Sequence, residues 1–314
     1  MRDLDLLVVG ELNADIVVTD PDPVPVFGQA ERLVGDVRLT LGSSSAITAC
    51  GAARLGLRVA MVGVVGDDPL GRFVLEALTA RGVDTSGCRV ATGRPTGASV
   101  ILGNGTDRAI LTALGTIADT RATDVPGALL ERARHVHVGS LFLQPGLAVD
   151  VPALFRTARA GGATTSLDPN WDPSSAWDGG FADALAESDV VLPNAGEALR
   201  LTGAPDAETA ARTLAADVRI AVVKLGADGA LAAEGSHPIV RAAARPVDAV
   251  DTTGAGDSFD AGFLAARLDG RPVDDALAYA VACGSLSTRA PGGTDGQATA
   301  DEVEAWLREG GHAR

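Results

Sequence analysis

The feature of this 314-residue sequence that most restricts its fold is an alternation of short β-rich runs with longer helical patterns. The β-rich runs, all continuously apolar or β-branched, occupy residues 6–9, 59–65, 136–138, 164–167, 190–192 and 220–223. Apolar residues recur at three- and four-residue spacing in residues 70–80, 149–160, 207–216, 258–268 and 273–287. Apolar strands separated by helices are typical of parallel strands buried on both faces. The order predicts an α/β fold with a doubly wound, mostly parallel sheet flanked by helices.

Two parts of the sequence break this alternation. Residues 15–19 with 32–40, and residues 98–102 with 109–112, have the pattern of strands joined by Pro, Gly and Asp turns. No long helical pattern separates the members of either pair, so together they predict a small antiparallel sheet that projects from the main domain. We expect one domain over residues 1–314, with a β lid formed from about residues 15–40 and 96–114.

The formal charge of −15 results from 41 acidic residues and 26 lysines and arginines. Such a charge repels nucleic acid and anionic membrane surfaces, so we expect neither as a partner. A mononucleotide is still compatible, because backbone amides and a metal ion can hold a phosphate chain locally. The sequence has no apolar stretch near the ~20 residues of a membrane span and no secretory signal pattern at its start, and we expect a cytoplasmic protein.

The cysteines and histidines do not predict a metal site. Cys50, Cys88 and Cys283 are far apart and odd in number, which is typical of free thiols in a reducing compartment. His135 and His137 occupy alternate positions of a predicted strand and lack the spacing of zinc ligands, so we expect a structural role for both.

The segment most informative about chemistry is residues 251–263, DTTGAGDSFDAGF. The small residues of the glycine turn, residues 254–256, precede a helical pattern that contains Asp257. A glycine turn that opens a helix directs several unpaired N–H groups at one point, and the helix dipole adds partial positive charge there. This arrangement suits a phosphate. The residues alone leave two interpretations of Asp257 open, a helix-capping carboxylate or a carboxylate that takes part in chemistry.

DTTGAGDSFDAGF resembles the carboxyl-terminal signature of the ribokinase-like (PfkB) carbohydrate kinases, which is usually close to DTTGAGDxFxxG. The resemblance implies an ATP-dependent sugar kinase in which Asp257 is the catalytic base. The turn Gly254, Ala255 and Gly256 would form the anion hole for the transferring phosphoryl group, through the amides of Ala255, Gly256 and Asp257. Gly254 and Gly256 would also contact ATP.

Other segments resemble the sugar-binding parts of the same family, in the family's order. Residues 10–15, GELNAD, resemble the first strand, where Asp15 would bind sugar hydroxyls with help from Asn13. Residues 42–56 followed by 63–71 resemble the amino-terminal signature, so residues Gly42, Ser43 and Ser44 would line the sugar pocket. Taken without the resemblance, Asp15 could equally cap a turn.

Two segments resemble the nucleotide-binding parts. Residues 192–197, LPNAGE, resemble the family's PNxxE element, in which Asn194 would contact ATP and Glu197 would hold Mg²⁺ through water. By spacing alone, this pair is equally a helix capping box. Residues 224–229, KLGADG, resemble the strand-turn at the nucleotide, which assigns ATP contacts to Lys224, Gly226 and Gly229. Asp251 and Thr253 match part of the family's monovalent cation site, whose other ligands would come from residues 287–293, so the sequence leaves a K⁺ site open.

The sequence departs from the family pattern at positions that bear on the substrate. Only one glycine of the usual pair is present, and Ile47 or a neighbour stands where the family carries an asparagine, which argues against a ribose-specific pocket. Residues 168–172, DPNWD, resemble the DxNxR segment of relatives that act on ketodeoxygluconate or fructose, which assigns Asn170 to the substrate. Asp172 replaces the arginine, so we expect a neutral sugar, with Arg108 on the lid as the residue that could hold a sugar acid.

The resemblance thus predicts transfer of the γ-phosphoryl group of ATP, with Mg²⁺, to a small sugar-like substrate, in a protein that could dimerise through its lid. Three alternatives stay open: a nucleoside kinase of the same fold, a kinase for a sugar acid of the ketodeoxygluconate type, and a non-catalytic sugar-binding regulator. Retention of Asp257 and the glycine turn argues against the regulator. A NAD(P)-dependent enzyme is disfavoured because no strand is followed by GxGxxG.

Overall fold

The computed structural model describes residues 2–103 and 108–311. In chain order its strands are β1 (Leu4–Val9), β2 (Asn13–Thr19), β3 (Asp36–Leu41), β4 (Val59–Val62), β5 (Val64–Gly66), β6 (Arg89–Ala91), β7 (Gly97–Gly103), β8 (Arg108–Ala113), β9 (Ala133–Val138), β10 (Thr164–Leu167), β11 (Val190–Val191), β12 (Ile220–Lys224), β13 (Ala230–Glu234) and β14 (Val240–Ala242). Its helices are α1 (Ser44–Arg54), α2 (Pro69–Ala80), α3 (Gly127–Arg132), α4 (Pro145–Ala160), α5 (Phe181–Ala186), α6 (Ala195–Thr202), α7 (Ala207–Leu214), α8 (Ala255–Leu268), α9 (Val273–Ser287) and α10 (Ala300–Gly311).

The main sheet has eight strands in the order β14-β13-β12-β11-β10-β9-β1-β4. The six strands from β12 to β4 are parallel to one another, and β13 and β14 add an antiparallel edge. The predicted doubly wound, mostly parallel sheet is therefore confirmed. Sequence reasoning did not find β13, whose sequence ALAAE is rich in alanine and so carries little β propensity.

Helices cover both faces of the main sheet, which is why its strands are uniformly apolar. In β1, Leu6 and Val8 pack with the helices α1, α2, α8 and α9, whereas Leu7 and Val9 pack with α4, α5 and α7. Successive side chains of a strand point to opposite faces, so one short run contributes to both cores. The run at 59–65 is divided at Gly63 into β4 and β5, and a Cβ at Gly63 would meet the carbonyl oxygen of Gly10 at 2.6 Å, so close packing requires glycine there.

A second sheet of four strands, the small sheet, has the order β3-β2-β7-β8. It contains the strands predicted for the projecting sheet, but it is mixed and not antiparallel. The central pair, β2 and β7, is parallel: its register runs from Asn13 opposite Gly97 to Thr19 opposite Gly103. The outer strands β3 and β8 then return antiparallel. That this sheet acts as a lid stays a prediction.

The remaining sequence expectations concern single residues and membranes. His135 and His137 are buried on β9 and hydrogen-bonded to Thr164 and Ser166, which agrees with a structural role. All three cysteines are free. Within residues 2–103 and 108–311, we find no helix with the length and apolar character to cross a bilayer.

Candidate active site

Charged side chains, among them the predicted site residue Lys224, gather at the carboxyl edge of the main sheet, where its six parallel strands end. Asp168 follows β10, Lys224 is the last residue of β12, and Glu11 lies in the short connection between β1 and β2. The first turn of α8 approaches the same edge, because a Cβ built at Gly256 would lie 3.6 Å from the Lys224 Nζ. Ligands of doubly wound sheets bind at this edge.

The glycine turn that opens α8 has the backbone shape that the sequence predicted. Gly254 is the N-cap with φ of 73°, a left-handed conformation that favours glycine, and a Cβ there would come within 2.7 Å of Gly293. The first N–H groups of a helix have no partner within it. Of the three predicted anion-hole amides, that of Ala255 donates to the carbonyl oxygen of Thr252 at 3.2 Å, which leaves those of Gly256 and Asp257.

Asp257 is not a helix cap. It is the third residue of α8, and no side chain caps that helix. Asp257 is half-buried. Desolvation raises its pKa to about 7, the negative charge of Asp168 raises it further, and Lys224 and the Ser44 hydroxyl act in the opposite direction. A carboxylate with a pKa near the operating pH has the proton affinity of an effective general base. The capping interpretation of Asp257 is therefore wrong, and the role in chemistry stays a prediction with this support.

Lys224 makes contacts that sequence reasoning did not foresee. Its Nζ lies 3.0 Å from Oδ2 of Asp168, and 3.1 and 3.0 Å from Oδ1 and Oδ2 of Asp260. Burial alone would lower the pKa of Lys224, but these two carboxylates raise it above its ordinary value. We call Lys224, Asp168 and Asp260 the Lys224 cluster. The predicted contact of Lys224 with the nucleotide stays a prediction.

Three of the predicted sugar-binding residues form one polar pocket between β2 and α1, which we call the acceptor pocket. Asn13 Nδ2 donates to Asp15 Oδ1 at 2.7 Å and to Ser99 Oγ at 3.4 Å. A Cβ at Gly42 would overlap Asp15 Oδ1 and Asn13 Nδ2, so a larger residue there would displace both side chains. Burial raises the pKa of Asp15 to about 6, and the Asn13 hydrogen bond opposes that rise.

The small sheet adds hydroxyl groups to this pocket that the sequence did not single out. Ser99 on β7 lies beside Asn13, and its Oγ is 3.1 Å from Thr112 Oγ1 on β8. A strand-borne serine in a separate part of the chain carries no local signal of a site. Only the pairing of β2 with β7, which sets Asp15 opposite Ser99, brings these residues together.

The predicted sugar contact Ser43 has its hydroxyl engaged inside the protein. Ser43 is the N-cap of α1 with φ of 73°; its Oγ accepts from the amide of Ala46 at 2.9 Å and donates to the carbonyl oxygen of Glu11 at 2.5 Å. The side chain of Glu11 is buried and accepts from the hydroxyls of Ser45 at 2.5 Å and Ser140 at 2.9 Å. Sequence reasoning did not identify Glu11 as a site residue, although an acidic residue two positions after the end of β1 is expected at the ligand-binding edge of the sheet.

Asn170 links Ser140 to Ser44, the first residue of helix α1. Its backbone is left-handed with φ of 57°, and its Nδ2 donates to Ser140 Oγ at 2.9 Å and to Ser44 Oγ at 3.2 Å. Its Oδ1 accepts from the amide of Trp171 at 2.8 Å, which fixes the orientation of the amide group. The structure thus brings Asn170 and Ser44 together; their contact with a substrate stays a prediction.

Asp172, in contrast, is turned into its own loop. It is buried, and its carboxylate accepts from the amides of Ser174 at 2.8 Å and Trp177 at 2.6 Å. The oxygens of Asp172 thus hold residues 172–177 in shape, and the effect of Asp172 on the choice of substrate stays a prediction. Arg108, at the start of β8, reaches the glycine-turn segment, where its Nη1 donates to Thr253 Oγ1 at 3.0 Å.

Asn194 and Glu197 form a reciprocal capping box at the start of α6. Asn194 Oδ1 accepts from the amide of Glu197 at 2.9 Å, and Glu197 Oε2 accepts from the amide of Asn194 at 2.8 Å. Burial, together with the charge of Asp168, raises the pKa of Glu197 to about 7. The capping interpretation is confirmed, and the contacts with ATP and Mg²⁺ stay predictions.

The last predicted residues lie in two turns. Gly226 and Gly229 have φ of 61° and 92°, and a Cβ at Gly229 would meet the amide nitrogen of Ala244 at 2.7 Å, so chain packing alone requires this glycine. Asp251 accepts from the amides of Thr253 and Gly292, each at 2.8 Å, and so ties the predicted cation loop to the loop 288–293. The nucleotide contacts and the K⁺ site are not tested by these geometries.

Comparison with known proteins gives matches over nearly the whole chain. The family described as pfkB family carbohydrate kinase matches residues 3–300. An ATP-dependent ribose-1-phosphate kinase of Halopiger xanaduensis is 33% identical over 97% of this chain and 98% of its own, and a 2-dehydro-3-deoxygluconokinase of Bacillus subtilis is 30% identical over 85% and 86%. The E. coli structure described as a putative Ribokinase II in complex with ATP and Mg²⁺ superposes with a TM-score of 0.85 and 26% identity, over 98% of this chain and 99% of that one.

Proposed function

This chain belongs to the pfkB family of carbohydrate kinases, and on that premise we propose that it transfers the γ-phosphoryl group of ATP to a hydroxyl of a neutral sugar of the fructose or ribose type. The observation that carries the proposal is the position of Asp257. Its carboxylate stands in the first turn of α8, with a pKa raised to about 7 by burial, beside the backbone amides of the glycine turn. A base and an anion hole in one helical turn suit phosphoryl transfer.

In the proposed reaction, the acceptor pocket holds the sugar through Asn13, Asp15 and the Gly42 backbone. Asp257 accepts the proton of the attacking hydroxyl, and the amides of Gly256 and Asp257 stabilise the charge that develops on the transferring group. A positioned base contributes ~10²–10⁴-fold to the rate. Closure of the small sheet over the cleft, through contacts such as that of Arg108 with Thr253, would keep water from acting as the acceptor.

The residues present fit Mg²⁺ bound with ATP. The Glu197 carboxylate lies near this edge with a raised pKa, and carboxylate oxygens are the ligands that Mg²⁺ prefers. Glu197 would hold the ion through water, and bound Mg²⁺ would neutralise charge on the phosphate oxygens. A K⁺ ion at Asp251 and Thr253 is a further part of the proposal.

A second candidate acceptor is anionic. It is favoured by the match to a relative named ribose-1-phosphate kinase and by Arg108, which enters the cleft from β8. An anion removed from water needs a cationic partner, because burying its charge without one costs several kcal/mol. The neutral sugar is preferred because the acceptor pocket contains the Asp15 carboxylate and the hydroxyls of Ser99 and Thr112, and because the charge of Arg108 acts on Asp15 itself while its Nη1 donates to Thr253.

The deciding experiment is ADP release measured across matched acceptors: fructose, ribose, 2-dehydro-3-deoxygluconate, ribose 1-phosphate and adenosine. We expect kcat/KM for a neutral sugar to exceed that for the anions at least tenfold. A tenfold preference for an anion would assign Arg108 as its clamp, and Arg108→Gln should then abolish that preference. Absence of ADP release with every acceptor would refute the kinase and favour a sugar-binding regulator.

We further propose that the single-domain chain acts in the cytoplasm as a homodimer formed through the small sheet. The support is one face of this sheet, on which Leu39 of β3 (46% exposed) and Leu111 of β8 (63%) lie in one cross-strand row with Ile16 and Val100 between them, next to Val37 (56%). A contiguous apolar face of this kind is typical of an interaction surface. Sedimentation of the wild type beside Leu39→Asp/Leu111→Asp tests it: the dimer requires the wild type to be twice the mass of the double variant.

A further inference from the structure

The Lys224 cluster contains the one lysine of the chain in an unusual setting. All other formal positive side-chain charges among the 26 come from arginine. The Lys224 side chain is 12% exposed, and its two partners Asp168 and Asp260 are 7% and 0% exposed at their side chains. Buried charges persist only when they are paired and hydrogen-bonded. The cluster is therefore held by its own pairing, independently of any ligand.

The three donors of the ammonium group are all used inside the protein. An ammonium group has three N–H donors, and the Lys224 Nζ lies within 3.0–3.1 Å of three carboxylate oxygens, one from Asp168 and two from Asp260. No donor is left for a nucleotide phosphate. A planar guanidinium presents its donors in a rigid fork and does not converge on three oxygens in this way, which explains lysine here in a chain that otherwise uses arginine.

The Lys224 cluster lies next to the glycine turn. One oxygen from each of Asp168, Asp257 and Asp260 fall within 4.8 Å of one another, and the Lys224 Nζ contacts two of the three carboxylates. Asp260 is one turn along α8 from Gly256, whose Cβ position is 3.6 Å from the same Nζ. Like charges this close disfavour ionisation of all three carboxylates. The ammonium group therefore offsets the repulsion that Asp257 would otherwise meet.

We propose that Lys224 is a positioning residue for the base: its ammonium, held by Asp168 and Asp260, keeps the Asp257 carboxylate ionised and does not contact the nucleotide. The inference rests on the proposed function, because it assumes that Asp257 is the base. The groups that face Asp257 are Asp168 after β10, Lys224 on β12, Glu11 after β1, Glu197 on α6 and Asp260 on α8. Lys224 is the one cation in this set.

The experiment measures the pH profile of kcat/KM for the acceptor and the affinity for MgATP in Lys224→Met, Asp168→Asn and the double variant. Removing the cation should move the acid limb of the profile to higher pH by about one unit or more, with much of kcat recovered at pH 9. Asp168→Asn removes the neighbouring negative charge that acts most strongly on Asp257 and should move the limb to lower pH. The double variant should lie near the wild type, and Kd for MgATP should change less than threefold throughout.

Arg219→Met is the matched control, because it removes one positive charge beside the other end of β12, where the side chain is 63% exposed and pairs with Glu234. It should leave the limb in place, since water and salt screen a charge about 16 Å away. A tenfold loss of MgATP affinity in Lys224→Met with an unmoved limb would overturn the inference and leave the kinase intact. If Lys224→Met does not fold, Asp168→Asn decides alone: an unmoved or raised limb overturns the inference.

Discussion

Replacing Asp257 by asparagine tests the proposed base and the energetic consequence of burying it. Asparagine keeps the size of the side chain and one acceptor oxygen but cannot take up the proton of the attacking hydroxyl. Because a positioned base contributes ~10²–10⁴-fold, we expect kcat to fall by that factor. MgATP affinity should change less than threefold, since the proposed anion hole is made of backbone amides that the substitution leaves unchanged.

The same substitution should stabilise the fold at alkaline pH. Burial and the neighbouring Asp168 raise the pKa of Asp257 from an ordinary value of 3.8 to about 7. A carboxyl group with a raised pKa favours folding fully below pH ~4, and this contribution is lost as the pH rises to about 7. A difference of about three units corresponds to roughly 4 kcal/mol as an upper bound. The amide of the Asp257→Asn variant carries no charge to desolvate, so the variant should exceed the wild type in stability at pH 8 and match it near pH 4.

The assay pairs ADP release with thermal denaturation at pH 4 and pH 8. Asp206→Asn is the matched control, because Asp206 caps α7 by accepting from the amide of Thr209 at 2.8 Å, and its pKa is lowered by that bond. The control should keep its activity and gain no stability at pH 8. Retention of more than a tenth of kcat in Asp257→Asn would refute the base. Equal melting temperatures at pH 8 would refute the destabilising effect of its buried charge.

Three more outcomes are expected. For the wild type, kcat/KM should rise with pH through about 7, because the ionised form of Asp257 is the active one; a profile flat from pH 5.5 to 9 would contradict this. Asp15→Ala should raise KM for the sugar at least tenfold with MgATP affinity unchanged, since a charged hydrogen bond is worth ~1.5–3 kcal/mol, and weaker ATP binding instead would put the sugar at the other end of the cleft. Gly42→Ala should also raise the sugar KM, because its Cβ would overlap Asp15 and Asn13; an unchanged KM would show that the acceptor binds elsewhere.

Patterns within short segments of this sequence were enough to predict the main fold and the glycine turn. Strand runs and helical periods are set by each segment's own burial, so β1, β9, β10 and β12 could be found one at a time. The glycine turn is equally local, since the left-handed Gly254 and the helix after it are fixed by neighbouring residues. Local patterns did not find the alanine-rich β13, whose β propensity is weak, and they joined β4 and β5 into one run across Gly63.

The roles of the polar residues depended on partners that are distant in the sequence. Asp172 and Lys224 occur in segments that resemble substrate and nucleotide elements, yet Asp172 holds its own loop and Lys224 neutralises Asp168 and Asp260, which lie 56 and 36 residues away. The parallel pairing of β2 with β7, which brings Ser99 to Asn13, likewise has no local signal. By itself, the sequence determined the doubly wound core, the glycine turn and the position of Asp257, because each follows from short-range periodicity and backbone freedom. Only the tertiary structure decided which buried charges meet, because a carboxylate's partner and pKa depend on the groups that folding brings to within a few ångströms.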